Sequence, residues 1–170
     1  MNPWPDLHRV LKDVPWVIVG GVATRAYMPE RATKDIGVLV RQEDEKTVLR
    51  LLQAVGYEVV SSLAVGGWLA RSPEGVELDI LLGSAPWLGE ALAHPRLDSA
   101  GYPVIDLPYL VLMKMESSRS LDVGDLSRML GLASEQDLER VRQAVKQYSP
   151  QDLQDFESLI YLGKLELGQV

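Results

Sequence analysis

The stretch that decides the fold runs from Val17 to Val40 and reads VIVGGVATRAYMPERATKDIGVLV. It predicts a short apolar strand, a turn at Gly20-Gly21, a short helix ended by Pro29, a polar loop, and a second apolar strand that opens on Asp35. A diglycine between a strand and a helix lets the backbone approach a phosphate closely, because no Cβ stands in the way. An acid at the start of the next strand can hold a cation against that phosphate. The alternative is a plain tight turn, followed by an acid that caps the strand at the surface.

A second acid, Asp79, lies inside the later apolar run VELDILL, residues 76–82. Because side chains alternate along a strand, the apolar residues at even positions share one face, and Glu77, Asp79 and Leu81 share the other. A carboxylate in the middle of an apolar strand needs a partner or a metal ion if it is buried. We therefore expect Asp79 to face a site. The alternative is a solvated face that it shares with Glu77.

These residues follow the order Gly-Gly … Arg-x-Thr-x-Asp-x-Gly … Asp. The order resembles the nucleotidyltransferase superfamily, which has the DNA polymerase β-like fold, in its small bacterial stand-alone and abortive-infection forms. The matching positions are Gly20, Gly21, Arg31, Thr33, Asp35 and Asp79. The resemblance implies that the two acids bind Mg²⁺ and take part in catalysis, and that the other four residues bind nucleotide.

The sequence departs from this pattern at Gly37, where the family has its second acid. In Asp-x-Asp the two carboxylates point to one spot, since residues i and i+2 of a strand share a face, and a third acid completes a site for two divalent ions. Asp35 and Asp79 can still hold one Mg²⁺, an ion commonly bound by one or two carboxylates plus substrate phosphates. Glu77 projects from the same face as Asp79 and is a candidate replacement ligand. The departure therefore implies a nucleotidyltransferase of impaired activity.

A second block, residues 107–130, is similar to a segment of abortive-infection type nucleotidyltransferases in which a helical Lys is followed by an Arg and by Asp-x-x-Asp. The matching positions are Lys114, Arg119, Asp122 and Asp125. Lys114 interrupts an otherwise apolar helix, LVLMKM, and the resemblance implies that its ammonium group assists catalysis at a phosphate. The alternatives are a lysine that extends from the edge of the core to solvent, and two acids that cap the start of a helix.

Composition limits the other classes of function. The chain has 170 residues, 46% of them hydrophobic, and no cysteine, which excludes disulfides, thiolate nucleophiles and cysteine-based zinc sites. With 17 Lys and Arg against 24 Asp and Glu, the formal net charge is −7, which argues against non-specific binding to nucleic acid. There is no membrane-length apolar run and no signal-peptide core, so we expect a cytoplasmic protein without membrane contact. A nucleoside triphosphate and a protein partner are the expected binding partners.

The predicted fold class is α+β. We expect a small, mixed, mostly antiparallel sheet with flanking helices, the nucleotidyltransferase fold, over residues 1–107, and a C-terminal helical region over residues 108–170 packed on that core. Strands are predicted at 16–19, 35–40, 57–62, 66–72, 76–82 and 102–107, with a hairpin turn at 73–75. Helices are predicted at 3–13, 22–28, 42–55, 86–94, 107–119, 122–132, 134–148 and from 149 onward.

The expected function is transfer of a nucleoside monophosphate from a nucleoside triphosphate to a hydroxyl acceptor with Mg²⁺. The alternative within the same fold is a catalytically degenerate nucleotide-binding protein or an antitoxin-like protein-interaction module, because small proteins of this fold are often components of toxin–antitoxin pairs. Outside the family, the alternative is an α/β interaction domain whose match to the motif is accidental.

Overall fold

The chain was analysed as a computed structural model, which describes residues 5–29, 31–33, 35–117 and 120–170. The described residues form two compact units. The first unit comprises those within Met1–Val22 and Thr33–Val104, and the second those within Ala23–Ala32 and Ile105–Val170. The segment before Thr33 is thus part of the second unit, although the chain returns to the first unit directly after it. The division into 1–107 and 108–170 stays a prediction.

The first unit is built around one mixed sheet. Its strands are β1 (Trp16–Val19), β2 (Ile36–Arg41), β3 (Glu58–Ser62), β4 (Gly67–Arg71), β5 (Glu77–Gly83), β6 (Arg96–Leu97) and β7 (Pro103–Val104). They lie in the order β3-β4-β5-β2-β1-β7-β6. Among these described strands, the pairs β2–β5 and β1–β7 are parallel and the other four pairs are antiparallel. The predicted α+β class, with a mixed and mostly antiparallel sheet, is confirmed.

The register of the three central strands brings the predicted site residues to one end of the sheet. Val19, the last residue of β1, lies opposite Gly37 near the start of β2. Gly37 in turn lies beside Asp79 of the parallel strand β5. The end of β1 and the starts of β2 and β5 therefore meet, as expected for an antiparallel pair next to a parallel one. The opposite face of β5 carries the fully buried Leu78 and Ile80, as the alternation predicted.

Four of the described helices lie, wholly or in part, in the first unit. They are α1 (Leu7–Val10), α2 (Gly20–Arg25), α3 (Glu45–Ala54, after a 3₁₀ turn at Gln42–Asp44) and α4 (Leu88–Ala93). Helix α3 buries Val48 and Leu52 on its apolar side. Helix α2 begins in the first unit, and its last three residues belong to the second.

The second unit is helical, as predicted. Its helices are α5 (Leu107–Ser117), α6 (Ser120–Leu132), α7 (Glu135–Tyr148) and α8 (Leu153–Glu166, after a 3₁₀ turn at Pro150–Asp152). Ser134 caps α7 by accepting a hydrogen bond from the amide of Asp137, as the sequence predicted. Helices α6 and α8 approach closely because Gly131 and Gly163 face each other at the contact. Nowhere in the described ranges is a helix both long and apolar enough to cross a membrane.

Several elements differ from their predicted bounds. Among the described residues of the predicted helix 3–13, of which residues 3 and 4 lie outside the description, only Leu7–Val10 are helical. Asp6 caps α1 by accepting from the amide of Arg9, and the chain turns again at Leu11. The strand predicted at 102–107 is only β7, since Asp106 accepts a hydrogen bond from the amide of Leu107 and starts α5 there. Strand β6 was not predicted, because two residues carry no alternation that a sequence pattern can detect.

Candidate functional site

The first candidate group of side chains lies around Asp79, at the starts of β2 and β5. Asp79 is half-buried, whereas Asp35, just before β2, and Glu77, at the start of β5, are exposed. The pKa of the Asp79 carboxyl is raised above its ordinary value, first by burial and then by the negative charges of Asp35 and Glu77. The charges of Asp35 and Glu77 thus act on Asp79, and a cation bound beside Asp79 would offset their repulsion of its carboxylate.

Gly37 lies in the space where the family pattern would place another carboxylate. Its neighbours in register are Asp79 on one side and Val19 on the other, so all three positions share a face of the sheet. A Cβ added to Gly37 would lie 3.3 Å from Val19 Cγ2 and 3.6 Å from Leu81 Cδ1. The contact with Val19 is tight and requires a shift of a few tenths of an ångström, whereas the contact with Leu81 is an ordinary van der Waals distance.

The two glycines predicted to form a turn before the helix are instead the first two residues of α2, and they differ in their surroundings. Gly20 has a φ of +71°, a conformation that favours glycine, and a Cβ added to it would meet no atom within 4 Å. Gly21 packs against Thr33, and a Cβ there would lie 2.6 Å from Thr33 Oγ1. The same hydroxyl oxygen accepts a hydrogen bond of 3.2 Å from the amide of Asp35. Thr33 thus contacts both Gly21 and Asp35, and these two contacts explain why a threonine lies two residues before the acid.

Glu77, the candidate replacement ligand, has a partner of its own. Its carboxylate accepts a hydrogen bond of 3.0 Å from the guanidinium of Arg71, which lies opposite it on the antiparallel strand β4. Both side chains are exposed, so this ion pair is weak and can exchange. Within the described part of the chain, no group of three or more His, Cys, Asp or Glu side chains is placed to hold a metal ion. Two carboxylates, those of Asp35 and Asp79, are therefore the candidates to bind a cation, whereas Glu77 is paired with Arg71.

The second group of predicted residues forms a buried ion-pair cluster in the helical unit. Lys114 Nζ donates to Asp122 Oδ1 at 2.8 Å and to Asp125 Oδ2 at 3.0 Å. Asp122 also accepts a hydrogen bond from the hydroxyl of Ser117. Arg31 reaches the same cluster, with its Nε 3.2 Å from Asp125 Oδ1. Lys114 and Arg31, expected at a phosphate, are therefore paired with carboxylates, and Arg119 lies outside the described residues.

The structure thus brings the predicted residues together in two groups, one in each unit. The first contains Gly20, Gly21, Thr33, Asp35, Glu77 and Asp79, and the second contains Arg31, Lys114, Asp122 and Asp125. Sequence reasoning missed the pairing of Arg71 with Glu77, although the hairpin register around residues 73–75 contains that information. It also missed the pairing of Arg31 with Asp125, for which no local pattern exists because 94 residues separate them.

A shallow groove lies at the other end of the central strands. It is lined by the last residues of β2 and β5, Arg41 and Gly83, and by the segments that follow them, including Glu43, Ser84 and Leu88. None of the predicted site residues contributes to this lining.

No protein-family model and no curated protein sequence matches the chain. Among solved structures, it is similar to the solution structure of the antibiotic-resistance factor ANT(2'')-Ia, with 19% identity, a TM-score of 0.47, and coverage of 95% of this chain and 91% of that chain. The crystal structure of ANT(2'')-Ia with adenylyl-2''-tobramycin gives 18% identity, a TM-score of 0.47, and coverage of 91% and 94%. TM1012 of Thermotoga maritima, a candidate nucleotidyltransferase, gives 17% identity, a TM-score of 0.49, and coverage of 73% and 88%.

All three identities are below 20%, and all three TM-scores are below 0.5.

Proposed function

We propose that this chain binds a nucleoside triphosphate together with one Mg²⁺ ion, and that it transfers the nucleoside monophosphate slowly to a hydroxyl acceptor. The observation that carries the proposal is the half-buried Asp79, whose pKa is raised by burial and by the charges of Asp35 and Glu77. Acids that repel one another at the end of a sheet are a favourable place for a divalent cation.

The available carboxylates suit Mg²⁺, and they are enough for one ion but not for two. Mg²⁺ prefers oxygen ligands, and one or two carboxylates suffice when substrate phosphates supply further oxygens. Asp35 and Asp79 provide two carboxylates, and Gly37 provides none. When bound, the ion would neutralise phosphate charge and orient the transferred group, which is worth several kcal/mol at a two-metal site. The loss of one ligand is therefore the reason for a slow reaction.

The other residues of the first group have supporting roles in this proposal. Gly20 has no Cβ to keep a phosphate away from its backbone, and Gly21 makes room for Thr33. The hydroxyl of Thr33 holds the amide of Asp35 and so fixes the start of the acidic segment. Arg31 and Lys114 would have to leave their carboxylate partners to contact a phosphate directly.

A second candidate function is a nucleotide-binding or antitoxin-like protein-interaction module without turnover. Two observations favour it. Position 37 carries no carboxylate, and Glu77, which could replace it, is paired with Arg71. Such a protein would keep the fold and the affinity for a nucleotide while losing the charge stabilisation that the reaction needs.

Calorimetric titration with each of the four nucleoside triphosphates, in the presence and absence of Mg²⁺, tests the proposal. The wild type is compared with Asp35→Ala/Asp79→Ala and with the control Glu43→Ala/Glu90→Ala, which removes two exposed acids from the same unit. We expect Mg²⁺-dependent binding of at least one nucleotide to be lost in the first double variant and retained in the control.

Release of pyrophosphate from the nucleotide that binds then separates the two candidate functions. Slow release that requires Asp35 and Asp79 supports transfer, and binding without release supports the degenerate module. If no nucleotide binds, or if both double variants bind like the wild type, the acids around Asp79 do not form the proposed site.

A further inference from the structure

Arg71 and Glu77 lie beside Asp79, and all three residues belong to the first unit. Arg71 faces Glu77 in register on β4 and β5, and Leu69 faces Asp79 in the same way. Because residues i and i+2 of a strand point to one side, these four side chains share a face of the sheet. Arg71 and Asp79 are diagonal neighbours, which are roughly 7–8 Å apart and within reach of a long side chain. The guanidinium of Arg71 can therefore reach the space beside Asp79 by rotation of its side chain.

The contact that holds Arg71 can exchange readily. Arg71 Nη2 donates to Glu77 Oε1 at 3.0 Å, and the two side chains are 43% and 55% exposed. Exposed ion pairs stabilise little, because water screens both charges and two long side chains must be ordered. This contact uses one of the several N–H donors of the guanidinium, whereas a phosphate accepts two parallel hydrogen bonds from such a group. A phosphate is thus a stronger partner for Arg71 than this carboxylate.

A nucleotide bound beside Asp79 needs positive charge in addition to the metal ion. Gly37 leaves carboxylates for one divalent cation, and the acids near Asp79 repel the phosphates. The two basic residues that the family resemblance assigned to a phosphate are held by carboxylates of the second unit. Arg71 brings a positive charge to the acids of the first unit. Its guanidinium can supply part of the phosphate neutralisation that a second metal ion performs in a two-metal site.

We propose that Arg71 binds the phosphates of the nucleoside triphosphate, and that Glu77 holds Arg71 in the absence of nucleotide. The proposal rests on the proposed function, in which the nucleotide binds beside Asp35 and Asp79. When a phosphate arrives, the guanidinium leaves the Glu77 carboxylate and donates to the phosphate oxygens. Glu77 therefore competes with the phosphate for Arg71, so that removing Glu77 strengthens phosphate binding and removing Arg71 weakens it.

The experiment measures by calorimetry, at one fixed Mg²⁺ concentration, the affinity for inorganic tripolyphosphate and for each of the four nucleoside triphosphates. Tripolyphosphate is included because it contains the phosphate chain that the four nucleotides share. Arg71→Gln should weaken binding at least about tenfold, the typical loss when hydrogen bonds to a charged group are removed. Glu77→Gln should strengthen binding about threefold, because the phosphate then no longer has to break an exposed ion pair. Weaker binding by Glu77→Gln would overturn the competition and indicate that Glu77 is a metal ligand.

The double variant Arg71→Gln/Glu77→Gln separates the release of Arg71 from the simple loss of a negative charge. If Glu77 competes for Arg71, the gain from Glu77→Gln vanishes once Arg71 is removed. If Glu77 acts only by repelling the phosphates, the same gain persists in the double variant, and the proposed exchange of partners is wrong.

Arg41→Gln is the matched control for the removal of one positive charge. Arg41 ends β2 on the same face as Gly37, about 13 Å further along the strand. Because this separation exceeds the screening length in physiological salt, we expect the control to change the affinity less than about twofold. Thermal unfolding establishes that each variant is folded at the assay temperature. Equal losses in Arg41→Gln and Arg71→Gln would show an effect of net charge and overturn the proposed contact.

The guanidinium signal of Arg71 in nitrogen NMR spectra, assigned by its absence from Arg71→Gln, reports the exchange directly. Tripolyphosphate should shift the Nε–H signal in the wild type, and Glu77→Gln should shift it without any ligand. A pair that only stabilises the hairpin would lower Tm in both single variants while the affinities stay unchanged, and that result refutes the proposal.

The same titrations distinguish failure of this proposal from failure of the proposed function. If a nucleotide binds in a manner that depends on Asp35 and Asp79 but binds equally well to Arg71→Gln, the site stands and the role of Arg71 is wrong. If the wild type binds none of the four nucleotides, the proposed function is wrong. Binding of tripolyphosphate that Arg71→Gln loses would then still identify Arg71 as a phosphate ligand, and no binding of it would refute both.

Discussion

Replacing Gly37 by Asp would restore the acid that the family pattern contains. Because Gly37 and Asp79 are neighbours in register, the new side chain would project from the same face as Asp79. Its Cβ would lie 3.3 Å from Val19 Cγ2 and 3.4 Å from the carbonyl oxygen of Val19. Relieving these contacts requires shifts of a few tenths of an ångström, and we expect a cost of about 1 kcal/mol in the free energy of unfolding.

Electrostatics adds a second cost in the absence of metal. Adjacent strands are about 4.8 Å apart, so the new carboxylate would lie about 5 Å from that of Asp79. Two like charges at this distance repel by about 1–3 kcal/mol, for effective dielectric constants of about 80 down to 20. The metal-free variant should therefore unfold several degrees below the wild type. A bound divalent cation turns this repulsion into attraction to the metal. We therefore expect Gly37→Asp to bind the cation at least about tenfold more tightly than the wild type, which corresponds to about 1.4 kcal/mol.

Two measurements check this prediction, each with Gly37→Asn as the control. Asparagine has nearly the same shape as aspartate, so it carries the steric cost without the charge. Thermal unfolding with and without Mn²⁺ should show a larger metal-induced increase in Tm for the Asp variant, and calorimetry should show its tighter binding. If Gly37→Asp binds Mn²⁺ no better than Gly37→Asn, the acids around Asp79 do not face a cation site.

Three further predictions concern stability. Gly163→Ala in α8 should lower the free energy of unfolding by about 3 kcal/mol, because its Cβ would lie 1.8 Å from the carbonyl oxygen of Ser127. Gly124→Ala in α6, where an added Cβ meets nothing within 4 Å, should not destabilise, and urea titration compares the two variants. Asp79→Asn should stabilise the metal-free protein at neutral pH, because the raised pKa makes the ionised carboxylate unfavourable in the folded state, and the gain should shrink as the pH falls toward the ordinary pKa of 3.8; unfolding midpoints across this pH range measure it. Ser134→Ala should cost about 1 kcal/mol by removing the cap of α7, as thermal unfolding would show, and Ser134→Gly should cost less.

Regular local patterns made most of the elements predictable. The alternation in residues 76–82 identified β5 and the face that carries Asp79, and the turn at 73–75 predicted the antiparallel pairing with β4. The capping serine at 134 marked the start of α7 correctly. What the sequence could not show is that residues 23–32, which lie between two strands of the sheet, form part of the helical unit. That placement depends on contacts such as Tyr27 with Ile105, which leave no local signal.

Local patterns predicted where the acids of the candidate site lie, but they could not predict the partners of its basic residues. The positions of Asp35 and Asp79 follow from strand periodicity, since both sit where β2 and β5 begin. The partners of Arg31 and Lys114 follow from helix packing over long sequence separations, and a family resemblance alone suggested phosphate instead. For a basic residue in an apolar segment, the sequence alone does not distinguish a phosphate ligand from a buried carboxylate partner, and the three-dimensional structure does.

Three glycines, Gly21, Gly37 and Gly163, differ in how much room the fold leaves for a side chain. At Gly21 a Cβ would lie 2.6 Å from Thr33, and at Gly163 it would lie 1.8 Å from backbone, so the fold itself requires glycine at both positions. At Gly37 no contact of an added Cβ would be shorter than 3.3 Å. The fold thus tolerates a side chain at position 37 at modest cost, and the missing acid is not imposed by the packing of the sheet. Since neither steric exclusion nor backbone conformation explains Gly37, its consequence lies in the chemistry of the site, which has carboxylates for one cation and depends on substrate phosphates for the remaining ligands.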